Sequence, residues 1–166
     1  MRYNKIRKMD ISNGPGIRVS IFLQGCEFKC EECFNKETWD FNGGKEFDED
    51  VIRRIIELAD HEYIVGLSIL GGEPMHPKNI KATEQIAKAF KERYPHKTIW
   101  SWTGFLYEGI KDQEALKYID VLIDGQFNPK FYSPLLKWRG SSNQRVIDVP
   151  KSLKNKKIMT IKDEAL

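Results

Sequence analysis

The sequence predicts an α/β fold, an incomplete TIM-like β/α barrel with a mostly parallel, curved sheet. Two observations indicate this class. Segments patterned as strands alternate along the chain with segments patterned as helices, which is typical of βαβ crossovers and parallel sheets. The chain has 166 residues, whereas a complete eightfold barrel takes about 250. We therefore expect one domain over residues 1–166 that forms part of a barrel or, as an alternative, a doubly wound sheet.

Five strands follow from apolar patterning. The first alternates apolar with polar residues, and the second is an almost continuous apolar run, which is typical of a strand covered on both faces. In chain order the predicted strands are Ile17–Leu23, Ile64–Leu70, Lys97–Trp102, Ile119–Ile123 and Arg145–Val149. Tyr3 to Ile11 is expected to form an edge strand or an arm.

Three helices are predicted between these strands. Asp48 to Ala59 has apolar residues at helical spacing and acidic residues at its N-terminal end, where the helix dipole favours negative charge. Asn79 to Arg93 has the same periodicity and is followed by Pro95, a common residue just beyond a helix. Asp112 to Tyr118 is predicted as a short third helix.

Composition argues against several classes of protein. Hydrophobic residues make up 40% of the chain, which suits a globular core, and no apolar run approaches the roughly 20 residues of a membrane span. The net charge of +3 is too small to indicate a nucleic-acid partner. The start of the chain lacks the apolar core of a signal peptide, so we expect a cytoplasmic protein in a reducing compartment.

All three cysteines lie within eight positions, at Cys26, Cys30 and Cys33. A tight cluster with an odd count is not a disulfide framework. Thiolates are soft ligands that select zinc or iron–sulfur clusters. A cubane of four irons normally takes four cysteines, so three would leave one iron open for chemistry.

The residues alone leave other uses of these thiols open. A structural zinc site of the Cys₃His kind would take His61, His76 or His96 as its fourth ligand. Three unrelated buried thiols are the remaining alternative, although the charged loop around them suits an exposed position.

Two unusual loops directly follow predicted strands. The cysteine loop follows the first strand, and Gly71-Gly72-Glu73-Pro74 follows the second. Barrels and doubly wound sheets bind their ligands at the carboxyl ends of the strands. We therefore expect the two loops to meet at one mouth.

The pattern C-x₃-C-x₂-C after a first strand, with Gly-Gly-Glu-Pro after a second, resembles the motifs of the radical S-adenosylmethionine enzymes. The resemblance implies that Cys26, Cys30 and Cys33 hold a [4Fe–4S] cluster. It implies that the fourth iron is chelated by the amino and carboxylate groups of S-adenosylmethionine. It also implies that Gly71–Pro74 holds the methionyl ammonium group.

One position departs from that family pattern. Many members carry an aromatic residue immediately before the third cysteine, near the adenine, whereas this chain has Glu32 there and Phe34 after the cysteine. We expect the adenine to lie against the backbone around Glu32, Cys33 and Phe34, or on another ring.

Further segments resemble the glycyl-radical-activating branch of the family. Asn13–Arg18 and Leu23–Cys26 are similar to that branch in general, with Asn13 where the pyruvate formate-lyase activators have Asp. The segments similar to the activators of anaerobic (class III) ribonucleotide reductases are Cys33–Trp39, Asp120–Phe127 and Trp138–Arg145.

The resemblance implies reductive cleavage of S-adenosylmethionine to a 5′-deoxyadenosyl radical. That radical takes a hydrogen atom from a glycine in the C-terminal loop of the large catalytic subunit of the anaerobic ribonucleotide reductase. An electron donor such as a flavodoxin is implied as well. We expect no nucleic-acid partner and no association with a membrane. The alternatives are an activator of another glycyl radical enzyme, such as pyruvate formate-lyase, or a zinc-stabilised binding module.

Three further features lead to expectations, two of them with alternatives. Asp124, at the end of a strand, is expected either to orient the cofactor or bind a monovalent cation, or to be a buried helix-capping residue. Trp100 and Trp102 are expected in the core, with Ser101 and Thr103 directed toward the mouth. Trp138–Arg145 is either an ordinary turn or a contact for the cofactor or the partner.

Overall fold

The structure, a computed structural model, describes all 166 residues and contains one sheet with helices packed against it. The strands are β1 (Arg2–Asp10), β2 (Ile17–Leu23), β3 (Lys45–Glu46), β4 (Ile64–Gly71), β5 (Thr98–Trp102), β6 (Val121–Asp124) and β7 (Arg145–Asp148). The helices are α1 (Glu49–Leu58), α2 (Ile80–Arg93), α3 (Tyr107–Ile110) and α4 (Val149–Asn155). None of them combines the length and the apolar character needed to cross a bilayer.

The seven strands form a mixed sheet in the order β3-β1-β2-β4-β5-β6-β7. β2, β4, β5 and β6 run parallel, as the alternation of strands and helices predicts. β1 pairs antiparallel with β2 and β3, and β7 pairs antiparallel with β6, so three of the six pairings are antiparallel. A mostly parallel sheet is therefore found only at the centre, because a turn as short as 11–16 joins antiparallel neighbours. The sheet is not closed, and a barrel-like curvature stays a prediction.

The helices and strands largely occupy the predicted ranges. β2 covers the predicted residues, and α1 begins directly after Asp48, whose carboxylate accepts hydrogen bonds from the amides of Asp50 and Val51. Two predictions were wrong in detail. β1 is not an edge strand, because β3 pairs with its outer side. The predicted third helix is a 3₁₀ turn over Glu114–Tyr118, because the backbone at Gln113 is still extended.

The larger hydrophobic core lies on one face of the sheet, between the strands and the helices. It contains 23 buried residues, in which alternate strand residues such as Ile21 and Leu67 meet Ile55 of α1 and Ile86 of α2. Burying each such side chain contributes about 1.5–3 kcal/mol. The opposite face has only a small cluster of four buried residues around Trp100. That face therefore has room for a cleft.

A buried arginine links three parallel strands on the face without helices. Arg18 of β2 donates hydrogen bonds to the hydroxyl of Ser68 (2.9 Å) and to the carbonyls of Leu67 (3.0 Å) and Thr98 (2.8 Å). Burial lowers its pKa to about 10, so the guanidinium stays charged at neutral pH. Gly66 makes room for it, since a Cβ there would lie 2.5 Å from its Nη2 atom. This network fixes the strands at the end opposite the cysteine loop.

β4 ends at a glycine that the neighbouring strand requires. Gly71 has a φ of +116°, which favours glycine, and a Cβ at this position would lie 2.4 Å from the backbone nitrogen of Leu23. The loop after β4 can therefore approach the end of β2 closely only with glycine here.

We expect Gly71→Ala to lower the free energy of unfolding by about 2 kcal/mol or more, because backbone strain of this kind costs of order 1–3 kcal/mol and the clash adds to it. Gly109→Ala is the matched control, since a Cβ at Gly109 meets nothing within 4 Å. Urea unfolding of the two variants measures the difference. Equal stability of both variants would contradict the close approach described here.

Candidate functional site

The cysteine loop begins where β2 ends and is held by a returning segment. The amide of Gly25 donates to the carbonyl of Thr38 (2.6 Å), and that of Cys26 donates to Trp39 (3.1 Å). Lys29 and Glu32 have positive φ values of 48° and 58°, and each directly precedes a cysteine. These sharp turns let all three thiols, which are free and half-buried, line one cavity.

The amide of Asn35 donates a hydrogen bond to the sulfur of Cys33 (3.4 Å). Burial raises the pKa of Cys26, and hydrogen bonds from the amides of Phe28 and Lys29 act in the opposite direction. Burial and the neighbouring Cys33 raise the pKa of Cys30, against a hydrogen bond from the amide of Phe127. Amides directed at sulfur are what a cluster-bound thiolate needs, because hydrogen bonds to sulfur tune and stabilise such centres. The donor set therefore fits an iron–sulfur cluster.

The Gly-Gly-Glu-Pro loop lies directly against the stem of the cysteine loop. The amide of Gly72 donates to the carbonyl of Leu23 (2.9 Å), and that of Glu73 donates to Gly25 (2.8 Å). A Cβ on Gly72 would lie 2.4 Å from the carbonyl oxygen of Gly25. The Nδ2 atom of Asn79 donates to the carbonyls of both loops, to Gln24 (3.2 Å), Gly25 (3.4 Å) and Glu73 (3.0 Å). The two loops thus meet at one mouth, as the strand ends predict.

Glu73 is a buried carboxyl group in the same cavity. It accepts hydrogen bonds from the hydroxyl of Thr103 (2.6 Å) and from the amides of Gly104 (2.6 Å) and Met75 (2.9 Å). Burial raises the pKa of Glu73 to about 7, because the loss of solvation outweighs these hydrogen bonds. A ligand cation beside this carboxyl would favour its ionised form.

The cavity beside the thiols has a volume of about 120 Å³ and opens into a larger cleft of about 920 Å³. The small cavity is lined by the three cysteines and by the loops that follow β4, β5 and β6. The cleft extends over the face of the sheet without helices, past Phe22, Leu70 and Trp102. One wall of it is formed by residues between Tyr132 and Gly140.

The remaining sequence-predicted residues of the Cys33 and Pro74 loops differ in where they lie. Cys33 lines both the cavity and the cleft, and Phe34 lines the cleft with its ring centre 5.5 Å from that of Phe127. Glu32 is exposed and lines neither space. Pro74 is buried behind the cavity, where its carbonyl accepts a hydrogen bond from Thr83 (2.7 Å).

Asp124 caps a helix instead of lining the cavity. Its carboxylate accepts a hydrogen bond from the amide of Tyr107, the first residue of α3 (2.8 Å), and two from Arg145. Arg145 also pairs with Glu108 (2.6 Å). The structure therefore agrees with the helix-capping alternative, because Asp124 is fully buried and lines neither the cavity nor the cleft.

His76, the histidine nearest to the site, uses both ring nitrogens elsewhere. Its Nδ1 accepts a hydrogen bond from the amide of Lys78 (3.0 Å), so the proton is on Nε2, which lies 3.0 Å from a carboxylate oxygen of Glu27. His61 and His96 are exposed and line neither space. No group of three His, Cys, Asp or Glu side chains converges to hold a single metal ion. Thiolates of a cubane bind different irons and need no such point of convergence.

Several residues of the site are not apparent from sequence. Trp100 is in the core as predicted, but Trp102 lines both the cavity and the cleft and donates from Nε1 to the carbonyl of Trp138 (2.7 Å). Thr103 is at the mouth as predicted, whereas the hydroxyl of Ser101 bonds within the sheet to Ile69. Applying the strand-end rule to β5 and β6 finds Gly104 and Gln126. Nothing in the sequence marks Asn79.

Comparison with known proteins agrees with this donor set. Residues 12–147 match the family described as a 4Fe-4S single cluster domain. That range contains the cysteine loop, the Gly-Gly-Glu-Pro loop and the loop after β6.

Curated relatives cover nearly the whole chain. The chain is 41% identical over 146 residues to the anaerobic ribonucleoside-triphosphate reductase-activating protein of Enterobacteria phage T4, covering 88% of this chain and 93% of the relative. It is 40% identical to the protein of that name from Vibrio cholerae over 87% of this chain and 96% of the relative. It is 37% identical to the one from Escherichia coli K12, over 88% and 97%. With its iron–sulfur domain, the chain belongs to the family of anaerobic ribonucleoside-triphosphate reductase-activating proteins.

Proposed function

We propose that this protein is a radical S-adenosylmethionine enzyme that generates a glycyl radical on the large catalytic subunit of an anaerobic ribonucleotide reductase. The observation that carries the proposal is the shared cavity. Three free thiols and the Gly71–Glu73 loop line one small space that opens into a much larger cleft.

Cys26, Cys30 and Cys33 would hold a [4Fe–4S] cluster in this cavity. When bound, the cluster supplies the electron for reductive cleavage of S-adenosylmethionine to methionine and a 5′-deoxyadenosyl radical, which takes a hydrogen atom from a glycine of the reductase. Three protein ligands leave one iron position for the amino and carboxylate groups of S-adenosylmethionine. The amide of Asn35, which donates to the sulfur of Cys33, favours the thiolate form of that ligand.

The loop after β4 supplies the partner for the methionyl amino group. Glu73 is the only carboxyl that lines the small cavity, and Thr103 and Gly104 fix its orientation. Cys33 and Phe34, on the cleft side, remain the proposed neighbours of the adenine. Asp124 stabilises this arrangement from outside the cavity, because it accepts hydrogen bonds from the first amide of α3 and from Arg145.

The cleft supports a protein substrate. Its volume of about 920 Å³ is near the upper end of the roughly 300–1,000 Å³ found for small-molecule pockets, so there is room for a segment of another protein beside the cofactor. The shared name of the relatives supports the reductase as that partner. A docked partner would exclude water and other C–H bonds from the radical, and a donor such as a flavodoxin would supply the electron.

Replacing Cys26, Cys30 or Cys33 by Ala should abolish activation by removing a cluster ligand. After anaerobic reconstitution with iron and sulfide, we expect the wild type, given a reductant, S-adenosylmethionine and the reductase subunit, to yield 5′-deoxyadenosine and the glycyl radical signal in electron paramagnetic resonance. Each variant should yield neither. Unfolding of the cluster-free variants is the control, because half-buried thiols contribute little to the core.

A wild type that assembles the cluster but never forms 5′-deoxyadenosine would refute the proposed function. Zinc without sulfide in the anaerobic preparation would favour the binding module instead.

Glu73→Gln should weaken the binding of S-adenosylmethionine about tenfold, since a hydrogen bond to a charged group contributes about 1.5 kcal/mol. Iron content should not change, because Glu73 is not a proposed cluster ligand. Equilibrium binding to the reconstituted protein measures the affinity, with Glu57→Gln on the exposed face of α1 as the control. Unchanged affinity in Glu73→Gln would remove this residue from the binding site.

Glu73 also predicts how the stability of the cofactor-free protein depends on pH. The folded protein raises the pKa of this carboxyl from 4.5 to about 7, so it binds a proton more tightly than the unfolded chain. The contribution of this tighter proton binding to the free energy of unfolding is complete below pH 4.5 and is lost as the pH rises through 7. We expect the wild type to lose about 3 kcal/mol relative to Glu73→Gln over this range, measured by urea unfolding at several pH values. Parallel curves for the two proteins would contradict the raised pKa.

A further inference from the structure

The loop after β6 forms the wall of the cavity beside Cys30. Gly125, Gln126 and Phe127 all line this cavity. The sulfur of Cys30 lies 4.0 Å from Oε1 of Gln126. The position of this loop therefore determines the polar surroundings of one proposed cluster ligand.

Three consecutive side chains of the 138–145 segment hold this loop. Arg145 donates to the carboxylate of Asp124, Gln144 Nε2 donates to the carbonyl of Gly125 (3.1 Å), and Asn143 Nδ2 donates to the carbonyl of Gln126 (2.8 Å). The order is antiparallel. It continues the register of β6 and β7, whose backbone pairing ends at Asp124 and Arg145. Side-chain hydrogen bonds thus continue the pairing beyond the last backbone hydrogen bonds between β6 and β7.

The holding segment is itself fixed. Oε1 of Gln144 accepts hydrogen bonds from the amides of Gly140 (3.0 Å) and Ser141 (3.2 Å). The side-chain amide of Gln144 therefore connects the turn at Gly140 and Ser141 with the loop after β6. On the loop, the amide of Gly125 donates to the carbonyl of Phe105, and the carbonyls of Gly125 and Gln126 accept from Gln144 and Asn143.

We infer that Asn143, Gln144 and Arg145 are positioning residues that hold Gly125–Phe127 against Cys30 and so shield that sulfur and set its polar surroundings. This assigns a role to a segment that the proposed function leaves without one. The consequence for the cluster rests on the proposed function, because it concerns the iron bound to Cys30. The contact with the thiol does not, because it exists in the cofactor-free chain.

The first test is the alkylation rate of each thiol in the cofactor-free, full-length protein. Asn143→Ala removes the bond to Gln126, and Asn143 is exposed, so the fold is retained. Gln144→Glu removes the bond to Gly125 but keeps the acceptor for Gly140 and Ser141. Asn155→Ala is the control, since Asn155 is also exposed and donates to a backbone carbonyl, in α4 away from the cavity.

We expect iodoacetamide to modify Cys30 about fivefold faster in Asn143→Ala and Gln144→Glu, the change in open population when a hydrogen bond worth about 1 kcal/mol is lost. Cys26 and Cys33 should react at the wild-type rate, and Asn155→Ala should match the wild type throughout. Digestion with trypsin and Glu-C separates the three cysteines for mass spectrometry, because Lys29, Glu31 and Glu32 lie between them. Unchanged Cys30 reactivity, or equal acceleration of all three thiols, would overturn the inference.

The second test uses the reconstituted cluster. Displacing the wall beside Cys30 changes the solvent exposure of the cluster, so the reduction potential should shift in Asn143→Ala and Gln144→Glu and not in Asn155→Ala. An unchanged potential would overturn the inference for the cluster. Failure of the wild type to assemble a cluster would instead refute the proposed function, and the alkylation result would stand independently of it.

Discussion

The direct backbone contact between the ends of β2 and β4 is the constraint on which the site depends. The amides of Gly72 and Glu73 reach carbonyls of the cysteine-loop stem, and Asn79 ties both loops together from beneath. Two adjacent glycines permit this approach, because a Cβ at either position would overlap the neighbouring backbone. The thiols and the buried carboxyl share one cavity for this reason, although they lie some 40 residues apart in sequence.

The two faces of the sheet are covered differently. The face with helices contains the larger core, and the parallel strands end with their loops at one side of it. The other face is largely polar near Arg18 and is covered only in part, by Trp138 and the C-terminal residues Ile161 and Leu166. The loops are thus supported by the core on one face, whereas the cleft on the other face leaves the cavity accessible.

Sequence patterns predict the local structure and the two motif loops well, because both depend on neighbouring residues. Apolar runs define β2 and β4, and the strand-end rule places Cys26 and Glu73 at the same mouth. Strand pairing is harder to predict from the sequence, since the antiparallel pairing of β1 and β7 is determined by contacts between residues distant in sequence. Asn79, Asn143 and Gln144 gain their roles only through the folded chain, because a polar residue in a loop carries no periodic signal.

The wall of the cleft between Tyr132 and Gly140 contributes no residue to the larger hydrophobic core. It contains no long helix or strand, and its exposed side chains include Tyr132 and Leu135. Substitutions at exposed positions such as Leu135 would leave the cysteine loop in place, because the segment contacts the rest of the site through Trp138 and Gly140. A change of sequence at these exposed positions would therefore reshape the entrance of the cleft while the cavity beside the thiols keeps its form.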